Sequence, residues 1–167
     1  MDELEFARQQ IIATRRYTQK LLDITPADRW FSFPEPVHTH IAWQVGHLAM
    51  AQFRLCIYYV RPVLAEDQAV ISDAFMSHFR AGTRPVADPA AYPPLDEILR
   101  TFNAIHEHIL GNWWRYAEMD MHEHANCHPH RVVTTRLDAL TWAARHEMLH
   151  TGQIGLLRRL LGCESMW

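Results

Sequence analysis

The segment from Thr141 to Gly162 constrains the fold most strongly, because it carries two histidines within an uninterrupted helical pattern. Its sequence is TWAARHEMLHTGQIGLLRRLLG, in which His146 and His150 lie four residues apart. At about 100° per residue, the two imidazoles project from the same face of a helix. Such a pair can offer two nitrogens to one transition metal, and the alternative is a pair of partly buried, hydrogen-bonded histidines. A third ligand from elsewhere in the chain would separate the two interpretations.

A third histidine lies far upstream, in the apolar helical segment WQVGHLA that begins at Trp43. We expect His47 to converge with His146 and His150 where two helices of a bundle face each other. Three neutral imidazoles suit zinc, nickel, copper or iron(II), and they leave at least one coordination position for water or substrate. Three protein ligands with an open position are typical of a catalytic metal, whereas a closed set of four is typical of a structural one.

The same two segments carry a resemblance to a known family. The motif W-x-x-GHLA spans 43–49, and the motif HExxHxGQIGLLRRLLG spans 146–162. In these motifs, and in their order and spacing, the chain resembles the DinB-like (DinB/YfiT) superfamily of small metal-binding four-helix bundles. The resemblance implies that His47, His146 and His150 bind one divalent metal. Zinc and nickel are the first candidates for this metal, and iron and manganese are the next.

The resemblance also implies a function. Characterised members of the superfamily include thiol transferases that use a low-molecular-weight thiol such as bacillithiol, and a mycothiol-dependent maleylpyruvate isomerase. We therefore expect a transferase or isomerase that acts on a small-molecule substrate with a metal-activated thiol, and the family also suggests a homodimer. The alternatives are a metal-dependent hydrolase, in which the metal activates water, and a non-enzymatic metal-binding stress protein.

The composition fits one globular domain over residues 1–167. Hydrophobic residues make up 49% of the chain and charged residues 21%, and the length is enough to bury a single core. The formal net charge of −3 gives no basic surface for nucleic acid, so we expect no nucleic-acid partner.

The N-terminal sequence and the cysteines bear on localisation. The sequence MDELEFARQQ begins acidic and lacks the apolar centre of a signal peptide, and nowhere does a run of about 18 apolar residues suggest a membrane span. Cys56, Cys127 and Cys163 form an odd, widely spaced set without a CxxC motif, which fits a reducing compartment. We therefore expect a cytoplasmic protein with no membrane partner.

The hydrophobic periodicity predicts an all-α fold, a bundle of four long helices. A first helix is expected from Asp2 as its cap to about Asp23, and a second from Thr39 as its cap to Tyr59 or Val60. A short helix is expected at 66–79 within the long link 61–94. Since a link of this length exceeds what an antiparallel hairpin needs, it predicts a crossover between parallel second and third helices, and hence an up-down-down-up topology.

The sequence also predicts where the third and fourth long helices begin and end. The third is expected to start near Leu95 and to continue to about Tyr116, with Gly111 weakening it without ending it. The fourth is expected to be capped by Thr134 or Thr135, with Asp138 at its positive end, and to stop at Gly162.

Four residues near the predicted ligands are candidates for the walls of a pocket. Trp43 and Trp142 each lie one turn before a predicted ligand on the same helix face, although tryptophans at such positions also serve as core residues. Gln153 shares the direction of the ligands on its helix. Glu147 points away from that direction, so we interpret it either as an acceptor at the rim or as a solvated charge.

The letters HEMLH at 146–150 also match the HExxH signature of zinc peptidases. The match is incomplete, because no histidine follows His150 to serve as a third ligand. The extended peptidase motif would also need glycine in place of Gln153 and histidine in place of Leu156.

A second group of histidines lies in the predicted loop 119–133. Such a tract could bind metal, but a flexible segment offers no scaffold to orient its ligands, and we favour a solvated loop. The histidines of this group are His122, His124, His128 and His130.

Overall fold

The computed structural model describes residues 2–126 and 131–165, and over these it is helical, without a β-strand. The all-α class predicted from the sequence is therefore confirmed. Within the described ranges, no helix combines the length and hydropathy that a transmembrane span requires. The helices are α1 (Glu3–Asp23), α2 (Ile41–Phe53), α3 (Ala65–Gln68), α4 (Asp73–Phe79), α5 (Leu95–Gly111), α6 (Trp114–Ala117) and α7 (Arg136–Leu160).

The ends of α1 and α7 follow from local side-chain chemistry, as predicted. The Asp2 carboxylate accepts a hydrogen bond from the Glu5 amide at 2.7 Å, which satisfies one of the free donors at the start of α1. Thr135 caps α7, and the Asp138 carboxylate accepts in return from the Thr135 amide at 2.9 Å. Gly162 has a φ of 74° just after α7, a conformation that side chains with a Cβ rarely adopt.

Two helix boundaries differ from the prediction. The first helical residue of α2 is Ile41, and the cap is the His40 imidazole, whose Nδ1 accepts from the Trp43 amide at 3.0 Å, rather than Thr39. The α-helical part of α2 ends at Phe53 and continues as a π-helical turn over Arg54–Tyr58.

Two further expectations about the helices need correction. α5 ends at Gly111, where the prediction had it continue, and a separate short helix α6 follows. The single short helix expected at 66–79 is two helices, α3 and α4, because Ser72 caps a new start by accepting from the Phe75 amide.

The four long helices α1, α2, α5 and α7 enclose the core. α1 packs against α7, and the residue numbers of the paired side chains increase along both helices in the same direction. Arg15 hydrogen-bonds Glu147, and one turn later the hydroxyls of Thr18 and Thr151 lie 2.6 Å apart.

α2 packs against α5 in the same way. Gln52 pairs with His106, and the Tyr116 hydroxyl, beyond α5, donates to the Cys56 carbonyl, beyond α2, at 2.6 Å. When the residue numbers on both sides of a helix contact increase in the same direction, the two helices run parallel. The complete up-down-down-up order of the bundle stays a prediction, as does the single domain over 1–167.

The crossover between α2 and α5 is fixed at two points. The first is Gly46, where a Cβ would lie 2.4–2.5 Å from three ring carbons of Phe79. The absence of a side chain at Gly46 therefore lets α4 pack closely on α2.

The second point is the buried carboxylate of Asp67. It accepts from both terminal nitrogens of Arg61 at 2.7 Å, from the Leu64 amide at 2.7 Å and from His108 Nε2 at 2.7 Å. Burial raises the pKa of Asp67, but the hydrogen bonds from Arg61, Leu64 and His108 outweigh this effect and lower the pKa to about 2. The charged carboxylate thereby joins the end of α2 to α3 and α5.

Candidate metal centre

The structure brings His47 of α2 together with His146 and His150 of α7. One ring nitrogen from each histidine lies within 4.8 Å of the others. The ring centroid of His47 lies 5.2 Å from that of His146 and 4.7 Å from that of His150. Because the helical spacing of α7 places its two imidazoles on one face, a single approach of α2 is enough to complete the set. Three imidazoles at such distances form a donor set that suits a divalent transition metal.

The orientation of His47 is set by the crossover. Its Nδ1–H donates to the Phe79 carbonyl at 2.7 Å, and since a carbonyl can only accept, the proton is on Nδ1. The other nitrogen, Nε2, therefore carries a lone pair. Burial lowers the pKa of His47, which is partly offset by this hydrogen bond. A neutral imidazole in a fixed tautomer is the form that binds metals.

The orientation of His150 is set by Gln44 of α2. The His150 Nδ1–H donates to Gln44 Oε1 at 2.5 Å, while the amide nitrogen of Gln44 donates to Thr39 Oγ1 at 3.2 Å. Burial, followed by the neighbouring His146 and His47, lowers the pKa of His150 to about 3 despite a hydrogen bond with Gln153. His150 is thus also neutral, with its proton on Nδ1.

Three of the four predicted pocket residues lie beside the histidines. The Trp43 ring stacks on His47 with 4.9 Å between centroids and 11° between planes, and its indole N–H donates to Thr83 Oγ1 at 3.2 Å. The Trp142 ring lies 6.3 Å from the His146 ring at a tilt of 57°. Gln153 is exposed and hydrogen-bonds His150. Each of the three histidines therefore has one of these side chains as a neighbour.

Glu147 lies neither at the rim of the site nor in solvent, the two positions expected from the sequence. It is only 4% exposed, so the solvated-charge interpretation is wrong. Its two carboxylate oxygens accept from Arg15 Nε at 2.8 Å and Nη2 at 3.2 Å. Glu147 therefore faces the contact between α1 and α7, and it does not line the site. A carboxylate held in this way is a poor match for the general base of an HExxH peptidase.

Arg15 of α1 is itself only 1% exposed, and it is hydrogen-bonded to residues of the three other long helices. Its Nη1 donates to the Phe102 carbonyl of α5 at 2.6 Å, and its Nη2 donates to Gln52 Oε1 of α2 at 2.7 Å. The guanidinium carbon also lies 3.5 Å from the centroid of the Phe102 ring. The charge of Glu147 is thus neutralised by a cation whose own donors are satisfied.

The remaining candidates lie away from the three histidines. His122 Nε2 lies 3.3 Å from an exposed carboxylate oxygen of Glu3, and His124 forms an isolated bridge with Thr135. His128 and His130 lie outside the described residues. Cys56 is fully buried in the core, where burial raises the pKa of its thiol, and it does not belong to the metal-ligating group.

Comparison with known proteins places the chain in a family. No curated protein matches it in sequence. A family model described as the DinB superfamily matches residues 10–154, which is well over half of the chain and includes all three histidines. The match confirms the resemblance drawn from the two motifs. The chain therefore belongs to the DinB superfamily.

Proposed function

We propose that the protein is a cytoplasmic enzyme that binds one divalent transition metal through His47, His146 and His150 and uses it with a low-molecular-weight thiol. The observation that carries this proposal is the convergence of three imidazoles, two of which are held neutral with the proton on Nδ1. Zinc and nickel are the first candidates for the metal, because both accept three nitrogen ligands. Iron and manganese are the next.

The choice of a thiol over water follows from the surrounding residues. A divalent ion at this position would lower the pKa of a coordinated thiol and so supply thiolate at neutral pH. The carboxylate closest to the histidines in sequence, Glu147, is bound by Arg15 and faces α1 and not the site. The thiol of Cys56 is buried, with a raised pKa, so it supplies no nucleophile of the protein's own. We therefore propose transfer or isomerisation, in which the small thiol adds to an electrophilic substrate beside Trp43 and Gln153.

The metal is tested by elemental analysis of the purified protein. His150→Ala should remove the stoichiometric metal, whereas His122→Ala, in the loop, should retain it. A metal content that follows His122 in place of His150 would contradict the proposed site.

The reaction is tested by following the loss of free thiol with a panel of small thiols and electrophiles, with and without a chelator. We expect thiol consumption that the chelator and His150→Ala both abolish. Chelator-sensitive cleavage of esters or amides without thiol consumption would replace the proposal with a hydrolase. Neither reaction with any divalent metal would favour a non-enzymatic metal-binding stress protein.

We also propose a homodimer that uses the outer face of α7. Leu149, Leu156 and Leu160 are 58%, 44% and 45% exposed, and their spacing puts them on one side of the helix. Exposed apolar side chains in such a row are typical of a protein interface. Sedimentation should show a dimer that Leu149→Lys together with Leu156→Lys converts to a monomer, whereas a monomeric wild-type protein at micromolar concentration would contradict the proposal.

A further inference from the structure

A groove of about 780 Å³ lies beside the metal centre, between α2 with its π-helical turn and the α3–α4 segment of the crossover. Binding sites for small molecules commonly have volumes of about 300–1,000 Å³. The floor of the groove is apolar, with Met50, Phe53 and Ile71 as its buried members. The groove can therefore take a small molecule with an aliphatic or aromatic body.

The rim of the groove carries two arginines, one on each wall. Arg80 follows α4 directly, and within the part of the chain that the structure describes its guanidinium makes no ion pair. Arg54 uses one N–H to donate to the Tyr59 hydroxyl at 3.1 Å and keeps its other donors available. Asp73 is the acid among the lining residues, so two arginines and one aspartate give the lining a formal charge of +1.

The two arginines lie at different distances from the metal centre. Phe79 packs on Gly46 and accepts a hydrogen bond from His47, so the neighbouring Arg80 lies at the metal end of the groove. Arg54 is eight residues beyond Gly46, which is about 12 Å along the helix axis at 1.5 Å per residue. An anionic group at either arginine would leave the rest of the molecule on the apolar floor.

We propose that this groove binds a small aliphatic dicarboxylate, with one carboxylate on Arg80, the other on Arg54, and its chain over Met50, Phe53 and Ile71. Guanidinium groups bind carboxylates through paired N–H donors, which accounts for two arginines above the apolar floor of the groove. In this proposal, the groove holds a reactant of the metal-dependent enzyme. The inference therefore rests on the proposed function, and it names the substrate class of that enzyme as a dicarboxylic acid.

The test is a titration of isotope-labelled protein with suberate, a straight-chain dicarboxylate, followed by amide chemical shifts. Its uncharged diamide is the matched probe. We expect saturable shifts at residues of the groove with suberate and much weaker ones with the diamide. Arg80→Gln and Arg54→Gln should each weaken suberate binding roughly tenfold, because each removes a charge-assisted contact. Both arginines are exposed, so these variants should keep the spectrum of the folded protein.

Arg84→Gln is the control, since Arg84 is also exposed but does not line the groove. Equal binding of suberate and its diamide, equal weakening by Arg84→Gln, shifts that map away from the groove, or no saturable shift at millimolar suberate would each overturn the inference. The same titration on metal-free His150→Ala separates this inference from the proposed function. Suberate binding should persist there, whereas the thiol reaction should be lost.

Discussion

Arg15 and Glu147 form a buried ion pair across α1 and α7, with Nε and Oε1 2.8 Å apart. Glu147 lies between the two histidines that α7 contributes to the metal centre, so the pair fixes how that helix is rotated against α1. Removing one partner leaves the other charge buried without compensation.

Arg15→Met should therefore lower the free energy of unfolding by about 3–5 kcal/mol, because the Glu147 carboxylate would lose its cation. Adding Glu147→Leu to Arg15→Met should recover much of that loss. Urea unfolding followed by circular dichroism measures both variants. Arg8→Met, which removes the partly exposed pair with Glu5, is the control and should change stability by less than about 1 kcal/mol. A similarly small effect of Arg15→Met would show that the buried pair is not stabilising.

Gln44→Leu should weaken metal binding by about tenfold to a hundredfold without unfolding the protein. Leucine fills a similar volume but offers no acceptor for the Nδ1–H of His150, so that imidazole would lose its fixed tautomer. Competition with a metal-binding dye measures the affinity. Gln9→Leu, on the exposed side of α1, is the matched control. An unchanged affinity in Gln44→Leu would mean that His150 is oriented by packing alone.

Gly46→Ala should destabilise the protein by about 1–3 kcal/mol and also weaken metal binding. The added methyl group would overlap the Phe79 ring, which must move, and the Phe79 carbonyl is the acceptor for His47. Thermal unfolding and the dye competition measure the two effects. Gly155→Ala is the control within a helix, since its Cβ would meet only Leu21 at 3.9 Å. Loss of stability with unchanged metal affinity would show that the ring can move without its carbonyl.

Acid should remove the contribution of Asp67 to stability. Its pKa is about 2 in the folded protein against an ordinary pKa of 3.8 for an aspartate, so the stabilisation is fully present above about pH 4 and is lost as the pH falls towards 2. A shift of this size corresponds to about 2 kcal/mol. Urea unfolding at about pH 5 and about pH 3 should therefore show a larger loss for wild type than for Asp67→Asn. Equal losses in the two proteins would place the acid sensitivity elsewhere.

The all-α class and the pair of His146 and His150 could be predicted from the sequence because each depends on local spacing, whereas the inclusion of His47 rested on the order and spacing of the two family motifs. The i, i+4 pair on α7 and the caps at Asp2 and Thr135 need only neighbouring residues. The inward direction of Glu147 could not be predicted in this way, because its partner Arg15 is 132 residues away in sequence. A signal was present, however, since Arg15 interrupts the apolar stripe of α1.

Of the groups that hydrogen-bond the histidines, some can be predicted from the sequence and others cannot. Gln44 lies three residues before His47 in an apolar segment, so helical spacing alone places it near the ligands. The Phe79 carbonyl leaves no trace in a side-chain pattern, because any residue supplies a carbonyl. Threonine is the commoner capping residue, so the sequence favours Thr39 as the cap of α2, whereas the structure has His40.

The hydrogen bond from His47 to the Phe79 carbonyl joins two parts of the protein that contribute differently to the candidate site: the long helices and the crossover. The three ligands belong to the regular helices α2 and α7, whose spacing tolerates little change. The crossover contributes only a backbone acceptor to His47, the Phe79 carbonyl. Arg80 is the residue directly after Phe79. Exposed side chains along the crossover can therefore be exchanged while the Phe79 ring and the Asp67 carboxylate keep the acceptor in place. If the proposed function holds, a change of substrate would need changes only in this connection, with the three histidines kept.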